Sequence, residues 1–89
     1  MKTFRLTVAS PDGHLFCGDI VKLDVRGVEG ELAVMAGHVP FVTSVVGGHC
    51  AVWTDEDTKR IATLDGGLLS VGTDGVTLLA GSFAFDERS

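Results

Sequence analysis

The sequence predicts an all-β protein, a sandwich or flattened barrel of nine or ten short strands. Three observations carry this expectation. Apolar and polar residues alternate with a period of two in one segment after another, as in Phe4-Arg5-Leu6-Thr7-Val8 and Val21-Lys22-Leu23-Asp24-Val25. Each run is closed by Gly, Pro or Asp turn chemistry. No stretch keeps a helical period long enough to lay down an amphipathic helix.

Taken in order, the first strand ends at Ser10-Pro11-Asp12-Gly13, where a fixed φ precedes a free one, and the chain reverses into His14-Leu15-Phe16-Cys17. Gly18-Asp19 reads as a second break, and Val21 to Arg26 is the cleanest amphipathic strand. Gly30 to Met35 is the next, followed by a corner at Gly37-His38-Val39-Pro40; Pro40 has no N–H for a ladder and belongs at a strand end or edge. Phe41 to Val46 is rich in β-branched residues and closes at Gly47-Gly48, and His49 to Thr54 resumes. Asp55-Glu56-Asp57 reads as a solvated hairpin tip, since cation loops space their oxygen ligands around a central glycine and this one does not. Asp65-Gly66-Gly67 reads as a further turn, Leu68 to Val71 as a strand, Gly72-Thr73-Asp74-Gly75 as a hairpin and Val76 to Ala80 as the closing strand. The expected organisation is one domain over residues 1–81 and a short charged tail over 82–89.

Composition narrows the function. With 89 residues, 45% of them hydrophobic, the chain has material for one core. Its net charge of -5, with no basic cluster beyond Lys59-Arg60, sets nucleic acid aside as a partner. The alternating N-terminus is neither a signal peptide nor a span, and no segment reaches the ~20 apolar residues that crossing a membrane requires, so a soluble chain without membrane insertion is expected. Cys17 and Cys50 lack CxxC spacing and are expected as buried free thiols.

Catalysis finds no foothold. His14 with Cys17, and His49 with Cys50, are spaced so that a strand points the two members of each pair to opposite faces. No serine stands in a Gly-X-Ser-X-Gly elbow, and the glycine pairs have no following helix with which to cradle a phosphate. The chain is expected to act by contact, without metal or cofactor. The segment best suited to contact is Gly27 to Pro40, where Glu29 and Glu31 flank Gly30 in a glycine-bounded turn.

That segment carries a resemblance. Glu29-Gly30-Glu31-Leu32 followed by Gly37-His38-Val39-Pro40 resembles the signature of the epsilon subunit of F-type ATP synthases, called delta in mitochondria. Leu6 to Pro11, Leu15 to Gly18, Leu64 to Val71 and Val76 to Ala80 resemble further segments of the family in order and spacing. The resemblance implies a ten-stranded N-terminal β-sandwich and a non-catalytic place on the central rotor shaft. It implies binding to the gamma subunit and to the c-ring, at the cytoplasmic face of a bacterial plasma membrane, by a subunit monomeric when isolated. By position, Glu29, Gly30 and Glu31 would meet the polar loops of the c-ring, with Glu31 foremost, while Ser10, His38 and Thr43 would face gamma.

Two departures stand out. Met35-Ala36 replaces the family's residue-plus-proline, and Val39 stands where Ala is usual. The family's C-terminal helical hairpin has no counterpart before Ser89, so coupling without autoinhibition and without ATP binding is the expectation. The competing expectation is a free-standing β-sandwich protein-binding module or a small metal-dependent, cupin-like enzyme.

Overall fold

The period-two runs become strands. The computed structural model describes residues 2–37 and 39–86, within which lie β1 (Phe4–Ser10), β2 (Gly13–Ile20), β3 (Lys22–Gly27), β4 (Gly30–Met35), β5 (Phe41–Trp53), β6 (Lys59–Val71), β7 (Val76–Ala80) and β8 (Phe83–Phe85). No helix occurs among them, so none is long and apolar enough to cross a membrane.

The strands hydrogen-bond in the order β2-β1-β7-β6-β5-β3-β4, with β8 on β6, and all pairs are antiparallel except β1 with β7. The path folds back on itself through β5 and β6, each 13 residues long. One half of this ribbon, Phe41–Val45 against Gly67–Val71, lies beside β7, β1 and β2. The other half, from Gly48 to Trp53 against Lys59 to Leu64, lies beside β3, β4 and β8. The result is a sandwich whose sheet is not closed into a barrel.

Alternation decides what the two layers hold between them. Leu6, Val8, Leu69 and Leu78 from the first layer and Leu23, Val34, Val52 and Ala62 from the second are almost fully buried in one core cluster. No polar or charged residue is buried among the described residues, so the core gains hydrophobic stabilisation without a desolvated polar group to satisfy. Phe16 of β2 meets Phe85 of β8 edge to face, with centroids 5.2 Å apart, and thereby covers the open side between the layers.

The expected strand count was higher because two glycine clusters read as turns are bends inside continuous strands. Val45 pairs with Gly67, Val46 with Gly66 and Gly48 with Leu64, so the ladder runs through both clusters. Gly66 has φ +104, and a Cβ there would sit 3.0 Å from the Val45 carbonyl. At Gly67 a Cβ would run into the Leu79 carbonyl of β7. Absence of side chains lets the ribbon pass from one layer to the other with its backbones in contact. Gly18 is likewise no break: β2 continues to Ile20, and the Phe16 ring lies across the space above that glycine.

Two more expectations differ. Within the segment assigned to a tail, Phe83–Phe85 form β8 against Ala62–Leu64, Arg60 sits 3.7 Å over the Phe85 ring, and the Asp65 carboxylate accepts a bond from the Ser82 amide, as it does from the Gly81 amide just before the segment. Three residues are too few for their alternation to register as a strand. Cys50 is buried, but Cys17 is exposed, because β2 lies at an edge with only its Phe16 face turned inward. The remaining turns agree: Gly72 donates to the Gly75 carbonyl at 2.8 Å, and the Asp57 amide donates to Asp55 at 2.8 Å in the acidic hairpin tip.

Candidate interaction surfaces

The glycine-bounded turn becomes the tip of the β3–β4 hairpin. Gly27 pairs with Gly30, leaving Val28 and Glu29 as a two-residue turn, and Gly30 adopts φ +128. Only glycine takes that backbone without strain. Val28 is 60% exposed, and Glu29, Gly30 and Glu31 are exposed with it. The tip is not loose, because the Val28 amide donates to the Ser44 carbonyl at 3.1 Å and Gly27 pairs with Val45 of β5.

Glu29 and Glu31 are not equivalent. Arg26 faces Glu31 across the hairpin, and its guanidinium donates to the Glu31 carboxylate at 3.1 Å. Both side chains are well exposed, so the pair contributes about 0.2–1 kcal/mol and acts on orientation more than on stability. Glu29 has no ion-pair partner among the described residues.

A second surface covers the outside of the first layer. The register aligns Cys17, Thr7, Thr77, Ser70 and Val42 in one row, and Ala9, Leu79, Leu68 and Ser44 in the next. Val42 (62% exposed), Leu79 (46%) and Leu68 (39%) lie close together there. Large side chains gathered on the solvent face of a small sheet make it a candidate contact surface. At the far edge of the same layer, the Cys17 thiol is held below its ordinary pKa by hydrogen bonding with the Thr7 hydroxyl at 3.7 Å and with the Arg5 guanidinium at 3.5 Å. Burial pushes the Cys50 thiol up to about 11.

Of the residues expected to face gamma, the two described ones, Ser10 and Thr43, stand apart. Ser10 closes the β1–β2 turn, its hydroxyl accepting from the Asp12 amide at 3.1 Å and donating to the Gly13 carbonyl at 3.5 Å. Thr43 is half-buried, shares the inward side of β5 with Val45, and donates to the Ser44 carbonyl at 3.4 Å. β6 and β7 lie between Thr43 and β1, which puts about 14 Å between the strands bearing these two residues. His38 lies outside the described residues. Val42, Leu68 and Leu79 escaped sequence reasoning because an exposed Leu in a strand reads like a core residue until the register shows which face it takes.

A depression of about 780 Å³ opens on the outside of the second layer, where β3 and β5 part between the pairs Asp24 with Ala51 and Gly27 with Val45. Arg26, Glu31 and His49 rim it, and Leu32, Ala33 and Ile61 are among its apolar walls. No group of three or more His, Cys, Asp or Glu side chains suited to a metal ion is found among the described residues.

Comparison with known proteins places this architecture. Residues 3–85 match the family model described as the β-sandwich domain of the ATP synthase delta/epsilon chain. The chain is 40% identical over 80 residues to ATP synthase epsilon chain 1 of Nitrobacter hamburgensis and 39% identical over 80 residues to the ATP synthase epsilon chain of a Bradyrhizobium species. In each case the match takes in 90% of this chain and 58% of the relative, so the chain spans little more than half the length of these relatives. Among solved structures, a chain of the Euglena gracilis mitochondrial ATP synthase superposes with a TM-score of 0.87 at 23% identity, covering 98% of this chain and 56% of that one. A chain of the Tetrahymena thermophila mitochondrial ATP synthase central stalk and c-ring assembly superposes with a TM-score of 0.76 at 9% identity, covering 93% and 66%. Fold, family model and curated relatives agree, and the chain belongs to the ATP synthase delta/epsilon family through its β-sandwich domain.

Proposed function

We propose that this chain works as a non-catalytic central-stalk subunit of an F-type ATP synthase, linking the gamma subunit to the c-ring so that ion-driven rotation is passed between them. Its place would be peripheral, at the cytoplasmic face of a bacterial plasma membrane. The exposed apolar surface of Val42, Leu68 and Leu79 is assigned to gamma, together with the residues expected there, Ser10, His38 and Thr43, and the hairpin tip of Glu29, Gly30 and Glu31 to the polar loops of the ring.

The observation that carries this reading is the junction at Ser44 and Val45. One short piece of β5 supports the apolar surface on its outer side and, through the Ser44 carbonyl and the Val45 pairing, holds the hairpin tip. Two contact surfaces sharing a sheet junction suit a part that must transmit force without bending. An apolar patch supplies affinity, and a charged tip supplies register and orientation.

The test is to mix this chain with the gamma subunit of the same organism and measure the mass of the species formed. The expected outcome is a one-to-one complex built from a chain that is monomeric alone. Absence of a complex between two folded partners would remove the rotor assignment.

A further inference from the structure

Among the described strands, β8 alone lies off the path β2-β1-β7-β6-β5-β3-β4. It pairs through three residues with one neighbour, Ala62–Leu64 of β6, so lifting it away breaks no other strand pairing. From this arrangement we propose that β8 is a strap that opens and closes against β6 while the other seven strands stay folded, and that the Asp65 carboxylate is its latch.

The strap is fastened at its two ends. At its start the Asp65 carboxylate, carried on the bend of the β5–β6 ribbon, accepts from both the Gly81 and the Ser82 amides at 3.1 Å. At its end the Asp86 amide donates to the Ile61 carbonyl at 2.7 Å, and the half-buried Phe85 ring meets the Arg60 guanidinium and the rings of Phe16 and Phe83. Asp65 is exposed, so water takes over its bonds when the strap lifts and the latch releases at modest cost. Phe83 is the single strap side chain buried in the core, which keeps the cost of opening below that of unfolding the whole sandwich.

Gly81 ties the latch to the sequence. A Cβ there would sit 2.5 Å from the second Asp65 carboxylate oxygen, so any larger residue pushes the carboxylate off the two amides. Opening the strap uncovers the edge of β6 from Ile61 to Leu64 together with the Phe16 ring. The open molecule thus offers an extended segment a strand edge beside an apolar slot, and the closed one hides both.

Native-state hydrogen exchange of the full chain tests this, with the Ala84 and Asp86 amides reporting on the strap and the Leu69 and Leu78 amides on the core. In the parent, the strap amides should exchange about tenfold faster than the core amides or more, and with little dependence on denaturant. Val34→Ala, on the far edge of the same layer, weakens the folded sandwich whether the strap is open or closed; it should speed the core amides about tenfold and leave the strap amides within about twofold. Asp65→Ala and Gly81→Ala should each speed the strap amides about fivefold or more, and the two together should add no more than about twofold to either alone, because both remove one latch. If the strap and core amides exchange alike and Val34→Ala speeds both, β8 opens only with the whole molecule and the proposal is overturned. If Asp65→Ala leaves the strap amides unchanged, or Gly81→Ala adds its full effect on top of it, Asp65 is not the latch.

Discussion

At the scale of the residue, the two thiols show how one side chain takes opposite chemistry from its surroundings. Cys17 lies on an edge strand beside Thr7 and Arg5, whose hydrogen bonds favour the thiolate, whereas Cys50 sits in the core, where burial favours the neutral thiol. A thiol reagent should therefore modify one cysteine in the native protein and two in denaturant, with Cys17→Ser abolishing the native reaction. The folded-state pKa of Cys50, about 11, lies above the ordinary 9.0, so its neutral form contributes stability that is complete below about pH 9 and lost between about 9 and 11. Denaturant titrations across that window should show a loss on the order of 2 kcal/mol at most, and Cys50→Ala should flatten it.

Trp53 shows the same dependence on context. Its indole N–H donates to Asp24 at 3.0 Å, and the Lys22 and Lys59 ammonium groups lie 5.8 and 5.4 Å from the ring centroid. Its alternation placed it on the face opposite Cys50 and Val52, yet nothing in the sequence names Asp24, 29 positions away, as its partner.

At the scale of the element, the β5–β6 ribbon is the decisive device. It crosses from one layer to the other at Gly47-Gly48 and Gly66-Gly67, so the bend depends on backbones packed without Cβ atoms. Gly67→Ala would push a methyl into the Leu79 carbonyl and should cost about 3 kcal/mol or more, whereas the same change at Gly72, where the nearest atom is 3.6 Å away, should cost under about 1 kcal/mol. Chemical denaturation of the two variants checks this, and equal stabilities would mean that the ribbon can shift to accept the methyl. The hairpins at Pro11-Asp12-Gly13 and Asp74-Gly75 were legible because turn residues act locally. The glycine clusters were misread because Gly punctuates turns and bends alike, and only pairing tells them apart.

At the scale of the whole molecule, the same strands serve both the surface and the core. Leu79 and Leu68 lie outside while Leu69 and Leu78 lie at 0% exposure, neighbours in sequence but opposed across the sheet. Leu79→Glu should leave stability within about 0.5 kcal/mol, since the side chain already meets water, and should prevent the gamma complex if that surface is the docking face. Leu78→Ala should do the reverse, costing about 2–5 kcal/mol while any folded fraction still binds gamma. Thermal unfolding and complex formation, measured on both variants, separate the two roles; loss of gamma binding in neither would move the contact elsewhere.

The sequence alone determined the all-β class, the order of most strands, the glycine-bounded acidic turn and the family resemblance. These follow from interactions between residues close along the chain, alternation and turn chemistry, and from a motif that needs no coordinates. Tertiary structure decided the rest. It showed that two glycine clusters are bends, that Phe83–Phe85 add a strand beside β6, that Glu31 is paired with Arg26 while Glu29 is not, and that three apolar side chains face outward together. Each of these depends on which strand lies beside which and in what register, a choice made by the collective packing of the core and unspecified by any short stretch of sequence.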